Sequence, residues 1–196
     1  MTAKLAASRH EIVIRVKEVG GKLRVPNLNE LLLSEDWTGF DWIITVDDDV
    51  ELPDGFMDSF IFLMERFGLM IAQPAHNLVS YASFEVNRRA WGTLARRTGF
   101  VEVGPLTAFH RSIAPQVLPF PDVGMGHGLD VHWAFLADRH GWPIGVIDAL
   151  PLRHLRPVGT TYDSAPIRRE ALRFIAERGG LPRRLALRTL ESFRTL

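Results

Sequence analysis

The stretch Trp42-Ile43-Ile44-Thr45-Val46-Asp47-Asp48-Asp49-Val50 decides how this chain is read. Its first half, from Asp41 to Val46, is a compact run of β-branched and aromatic residues, and such a run reads as a buried strand. The strand stops at three adjacent aspartates. In extended chain successive side chains alternate, so Asp47 and Asp49 point to one side and Asp48 to the other. Three neighbouring carboxylates repel one another, and a cation or a set of hydrogen-bond donors is the simplest means of holding them together. The plain alternative is an acidic turn that caps the next helix.

Outward from this point the chain alternates between strand-like and helix-like segments. Downstream, Pro53 and Asp54 open a helix to about Phe67. Leu69 to Ala72 reads as the next strand, stopped by Pro74, and Gln73 to Arg97 as a long surface excursion. Gly99 to Val103 and Leu106 to His110 read as strands on either side of Gly104-Pro105. Ser112 caps a short helix ending before Pro119, and Pro119 to Gly128 is a loop. Leu129 to His140 has helical spacing, Trp142 to Ile147 and Leu150 to Arg156 read as strands, and Ala165 to Arg178 and Arg183 to Arg194 as helices.

Upstream, Ala3 to Ser8 is helix-like and Glu11 to Val19 alternates as a strand. Asn27, with Glu30 three residues on, has the pattern of a capped helix. The fold class expected is therefore α/β with a mainly parallel sheet, in which ligands bind beyond the carboxyl ends of strands. The triple aspartate falls at such an end. One domain over 1–196 is expected, with a core over about 11–160 and C-terminal helices over about 165–194.

Composition narrows the chemistry. The chain has 196 residues, 46% of them hydrophobic and 23% charged, which suits a folded chain with a sizeable core. With 23 basic and 23 acidic side chains the net charge is zero, which argues against a nucleic-acid binder relying on bulk positive charge. No cysteine is present, so disulfides and thiolate metal sites are excluded. A metal here would need carboxylate, imidazole, carbonyl or water ligands, which favours Mg²⁺ or Mn²⁺. The lack of cysteine fits a cytoplasmic protein. No apolar stretch has the length and the freedom from charge of a membrane span, so a soluble protein is expected.

The segment Trp42 to Val50 resembles the Asp-x-Asp motif of GT-A glycosyltransferases, as in glycosyltransferase family 2. Further features follow in the order of that fold. Gly104-Pro105 resembles the glycine-containing loop near the donor sugar. Gly128-Leu129-Asp130 resembles the acidic motif that supplies the catalytic base, although Leu129 stands where the family commonly has Glu. Leu152-Arg153-His154 resembles the C-terminal segment whose histidine completes the metal site. The resemblance covers about Asp41 to His154.

It implies metal-dependent transfer of a sugar from a nucleotide-sugar donor to an acceptor hydroxyl, through an inverting single displacement. The acceptor class stays open among carbohydrates, lipids and small molecules. Asp47, Asp49 and His154 would bind Mn²⁺ or Mg²⁺. Asp47, Asp48, Gly104 and Arg153 would contact the donor, and Asp130 would be the general base. Each has a plainer alternative: Asp130 as a helix cap, His154 as a surface residue, Arg153 and Arg156 as solvated charges. Trp133, with His127 and His132 around Asp130, is a weaker acceptor-site candidate, and the pairs Arg88-Arg89 and Arg96-Arg97 would line a donor-side loop.

The order of Ala3–Ser8 and Glu11–Val19 resembles the second strand of that fold and the helix before it, so the first strand is expected to be missing. This motivates a second reading, a non-catalytic or truncated nucleotide-sugar-binding domain derived from a transferase. A sugar-phosphate nucleotidyltransferase would want a glycine- and lysine-rich N-terminal loop, which is absent. A haloacid-dehalogenase-like phosphatase would want threonine where Glu51 stands. The final stretch, with Leu185, Leu187, Leu190 and Phe193 among arginines, reads as a basic amphipathic helix that either packs on the domain or touches an anionic membrane.

Overall fold

The computed structural model describes residues 2–18, 20–157 and 163–196. Its elements follow the chain as α1 (Thr2–Ala6), α2 (Arg24–Leu33), β1 (Trp42–Val46), β2 (Val50–Glu51), α3 (Phe56–Arg66), β3 (Ile71–His76), β4 (Ala95–Thr98), β5 (Leu106–His110), α4 (Ala114–Val117), α5 (Leu129–His140), β6 (Ile144–His154), α6 (Ser164–Arg178), α7 (Arg183–Ala186) and β7 (Thr189–Phe193). The fold is α/β, with an open mixed sheet in the order β1-β5-β3-β6-β4-β7 and β2 paired to β6.

The expected mainly parallel sheet is not found. Among the described residues β3 and β6 pair in parallel, while β1–β5, β3–β5, β4–β6, β4–β7 and β2–β6 are antiparallel. The succession β1-α3-β3 does bring two strands into the same direction, as a helix crossover should. However, β5 inserts between them and runs the other way. Strand β4 likewise runs against β6. Alternation along the sequence gives the direction of β1, β3 and β6 but cannot show which strands later enter between them. Because those three point the same way, their carboxyl ends lie along one edge of the sheet, and the segment leading into β5 arrives at that edge.

Side chains alternate across the sheet and build a core on each face. Ala72, Leu106, Ala108 and Ile147 pack with Phe56, Phe60 and Met64 of α3. Ile71, Phe109 and Ile144 pack on the other side with Val25 and Leu32 of α2 and with Leu129 and Trp133 of α5. β3 is buried throughout, as a strand covered on both faces should be. β1 is only half-buried and pairs with β5 alone, so it is an edge strand rather than the buried strand expected.

Several boundaries differ from the sequence expectation, for local reasons. Residues 11–18 join no strand ladder, and Val19 lies outside the described residues, as does the expected core limit near 160. The helix expected to be capped by Asn27 begins earlier, at Arg24, with Leu23 in the capping position. Pro26 fits there because first-turn N–H groups lack helical partners anyway. β3 runs through Pro74, since its pairing with β5 ends at Ala72 and the edge facing away from β6 needs no donor at Pro74. Gly99–Val103 is not a strand; β4 lies just before it. The two strands expected over 142–156 form the single β6, with Pro151 between its paired stretches.

The final stretch departs most. α7 has one turn, and the chain then forms β7 along the free edge of β4. The ladder's backbone groups are satisfied, with Leu94 N–H donating to Phe193 O at 2.7 Å. Phe193 stacks on Phe67 with ring centroids 4.5 Å apart. Covering an open strand edge outweighs the helical spacing of the leucines. The basic amphipathic helix expected over Arg183 to Arg194 does not form; the stretch packs on the domain as α7 and β7. Among the described residues no helix is long and apolar enough to cross a membrane.

Candidate functional site

The carboxyl-end edge of β1, β3 and β6 opens into a cavity of about 1150 Å³. Asp47, Asp48, Asp49, Gly104, His127, Asp130, His154 and Arg156 all line it. Residues far apart in sequence thus meet where the strand directions require.

Asp47 follows β1 directly, and its N–H donates to Pro105 O at 2.8 Å, which ties the aspartates to the loop before β5. Its carboxylate takes a hydrogen bond from Arg24 Nε at 2.7 Å, while Arg24 Nη2 donates to Val103 O at 3.1 Å. Gly104 completes this contact. A Cβ there would stand 2.8 Å from Asp47 Oδ2 and 3.2 Å from Arg24 Nη2, so the close approach requires glycine. The counter-charge expected for the aspartates is therefore supplied at Asp47 by a side chain, from a residue with no motif to announce it.

Asp49 is drawn to β6. Val50 pairs with His154 across the β2–β6 ladder, and Leu155 N–H donates to Asp49 O at 2.9 Å. This sets Asp49 Oδ2 at 3.3 Å from His154 Nε2 and 3.8 Å from Arg156 Nε. His154 Nδ1 lies 3.3 Å from Tyr81 O. A carbonyl only accepts, so Nδ1 carries a proton facing it. That leaves Nε2 of a neutral imidazole with its lone pair toward a carboxylate, an arrangement that requires a proton or a cation between them. A backbone carbonyl on the far nitrogen is the usual support of a metal-binding histidine. Asp49 and His154 are thus the two side chains here that could hold a divalent cation. Asp47 does not join them, being held by Arg24. Among the described residues no group of three or more His, Cys, Asp or Glu side chains is placed to hold a metal.

Asp130 stands in the first turn of α5, after Gly128, whose φ of 96° suits glycine. It is buried, and Val131 N–H donates to its Oδ1 at 2.8 Å. Burial raises its pKa from 3.8 to about 6, and the charge of Glu102 pushes the same way. Helix-start N–H groups oppose this, but desolvation is the larger effect. Burial lowers that of His127 on the same wall, favouring its neutral form.

Other candidates lie elsewhere. Arg153 does not line the cavity; on the strand it alternates with His154 and pairs with Glu51 at 3.4 Å. Trp133 is core, edge-on to Phe109 with centroids 5.0 Å apart, and His132 meets Gly179 O at 3.0 Å. Arg96 is buried against Asp148, with Nε at 2.8 Å and Nη2 at 3.0 Å from its two oxygens. Arg88 pairs with Glu85, Arg97 with Glu191, and Arg89 covers the Trp91 ring. The expected donor-side arginine loop is thus not observed.

Glu102 and His76 were not singled out by motif, yet both are buried near the site. Glu102 is the one polar residue of Phe100-Val101-Glu102-Val103, and that is the available signal for it; His76, beyond Gln73 in Ala72-Gln73-Pro74-Ala75-His76, has a weaker one. In comparison with known proteins, no family model matches the chain and no curated protein matches it significantly.

Proposed function

We propose that this chain is a metal-dependent glycosyltransferase of the GT-A type, transferring a sugar from a nucleoside diphosphate sugar to an acceptor hydroxyl. The observation that carries the reading is the meeting of the Asp49–His154 pair and the buried Asp130 in one cavity. One end is suited to a metal-bound diphosphate and the other to accepting a proton. The shared direction of β1, β3 and β6 supports the fold assignment, since it sets both ends on the ligand-binding edge.

A bound Mn²⁺ or Mg²⁺ would neutralise charge on the departing diphosphate, held by Asp49 and His154. Arg156 extends beside Asp49 and offers a guanidinium to phosphate oxygens. Gly104 makes room for the Arg24–Asp47 contact beside the donor, and Asp48, on the cavity wall, would contact the nucleotide. Asp130 takes the acceptor proton as the acceptor oxygen bonds to the anomeric carbon. The bond from that carbon to the diphosphate breaks, and its electron pair leaves with the diphosphate oxygen. With Asp130 as base and no covalent step, the product has inverted configuration. A pKa near 6 makes Asp130 ionised at neutral pH and more basic than an ordinary aspartate.

The second reading, a nucleotide-sugar-binding domain without turnover, is favoured by one observation: Arg24 holds Asp47 away from the Asp49–His154 pair. Incubation with UDP-, GDP- and dTDP-sugars, Mn²⁺ and mixed sugar acceptors separates the two. Transfer reads as release of nucleoside diphosphate that stops with a chelator. Asp130→Asn should spare donor binding and abolish that release; full activity in this variant would overturn the base assignment. Donor binding without release in the wild type would establish the second reading.

A further inference from the structure

β3 stops at His76, where its last rung joins Leu152 of β6, and the Asn77 N–H still reaches Leu152 O at 2.9 Å. β6 runs on to His154, so the N–H and C=O of His154 face an edge that β3 has left. Buried backbone groups at such a place need partners. They come from a turn over residues 77–80, in which Ser80 N–H donates to Asn77 O at 3.2 Å and Val79 N–H to Asn77 Oδ1 at 3.1 Å. The turn returns Ser80 and Tyr81 to the strand. Ser80 Oγ accepts the His154 N–H at 2.8 Å, and Tyr81 N–H donates to His154 O at 3.2 Å. Tyr81 O then meets the His154 ring at Nδ1, 3.3 Å away. Two adjacent residues thus hold three atoms of one histidine. Leu78 and Val79 of the turn are exposed and do not serve the core, whereas Ser80 is buried to 6% exposure. Its hydroxyl also lies 2.7 Å from Nδ1 of the buried His76.

We propose that Ser80 is a positioning residue for His154: it holds the His154 main chain against the Tyr81 carbonyl, so that the ring keeps its proton on Nδ1 and presents a bare Nε2 to Asp49. The proposal rests on the reading of His154 as a side chain that holds a cation, since a neutral imidazole with one free nitrogen is the metal-binding form. The ring contact alone is weakly held. At 3.3 Å it is longer than the common range for N–H···O bonds, and it survives only while the two main chains keep their separation. The Ser80 bond is shorter and lies one residue before the carbonyl that selects the tautomer. His76 fixes the hydroxyl in turn, and does so in either of its own tautomers, because a hydroxyl both donates and accepts. A serine that merely closed the turn would do so through its backbone; here the side chain spans from the turn to the strand end that carries the site histidine.

The test is the nitrogen-15 spectrum of the His154 ring in the intact, metal-free protein at about pH 8, where an ordinary imidazole is neutral. Wild type should show one tautomer, with the proton on Nδ1. Ser80→Ala should show exchange between both tautomers, and Ser80→Thr, which keeps the hydroxyl, should restore the single form. Should Ser80→Ala not fold, Ser80→Cys, a much poorer acceptor, carries the same expectation. A wild-type tautomer in the variants that lack the hydroxyl would overturn the proposal and leave Ser80 a turn residue. Calorimetry with Mn²⁺ and no nucleotide gives the second readout: Ser80→Ala should bind the ion about 10-fold or more weakly, and Ser80→Thr near wild-type strength. Equal affinity in Ser80→Ala and wild type would also overturn the positioning role. The ring spectrum needs neither metal nor turnover, so it judges Ser80 separately from the transfer reading; a wild type that shows the single tautomer but binds no Mn²⁺ counts against the metal site alone.

Discussion

His154 Nε2 lies 3.3 Å from Asp49 Oδ2, at the meeting of β2 with the end of β6. Since His154 Nδ1 faces a carbonyl, the two facing atoms need a shared proton or cation. Asp49→Ala and His154→Ala should each weaken Mn²⁺-dependent nucleotide binding by about 10-fold or more while leaving the fold intact. Calorimetric titration of nucleotide with and without Mn²⁺ checks this; metal dependence that survives both substitutions places the metal elsewhere.

Asp130 gives a stability prediction with a definite sign. In the fold it keeps its proton up to about pH 6, whereas the unfolded chain releases it near 3.8. Below pH 3.8 both states are protonated and the site costs nothing. Between the two values the unfolded state gains by ionising, and above about 6 the cost levels off at about 3 kcal/mol. Asp130→Asn should therefore stabilise the protein at pH 7–8 by an amount of that order (about 3 kcal/mol) and do little near pH 4. Urea unfolding at both pH values measures the difference. Equal effects at the two values would mean the carboxyl is not perturbed.

Gly104→Ala forces a Cβ against Asp47 Oδ2 and Arg24 Nη2. The expected result is displacement of the Arg24–Asp47 contact and loss of nucleotide affinity, with a stability cost of about 1–3 kcal/mol from overpacking. Binding and denaturation measured together would show both; wild-type affinity would remove Gly104 from the donor site.

Arg96 and Asp148 form a buried bidentate pair remote from the aspartates, further held by Thr93 Oγ1 and Ala90 N–H on the Asp148 oxygens. Arg96→Met strands a carboxylate at 0% exposure and should cost about 3–5 kcal/mol. The same change should leave nucleotide affinity at wild-type level in the folded fraction. A mild effect on the denaturation midpoint would show that water or another donor reaches Asp148.

Much of the site was legible because its chemistry is local. The strand from Trp42 to Val46, though not its place at the sheet edge, is readable from residue type alone, and α5 spans the Leu129–His140 that its apolar spacing indicates. Sheet order was not legible. The antiparallel entry of β5 between β1 and β3 depends on pairing between distant segments, to which the strand pattern of Leu106–His110 is indifferent. The end of the chain failed for the related reason that an unpaired β4 edge drew Thr189–Phe193 into a strand. Arg24 gave a weak signal because its role arises only once α2 and the segment before β5 meet the end of β1. The Arg96–Asp148 pair warns against the opposite error, since the adjacent arginines suggest a donor-side loop and one of them serves the core.

The most direct measurement is thermal stability with UDP, GDP or dTDP and their sugar conjugates, each with Mn²⁺, Mg²⁺ or a chelator. Nucleotide at ~100 times its dissociation constant should stabilise the fold by ~2.7 kcal/mol. The account predicts a shift that requires one nucleotide together with the metal and is lost in Asp49→Ala. No shift with any nucleotide–metal combination, or an undiminished shift in Asp49→Ala, would contradict it.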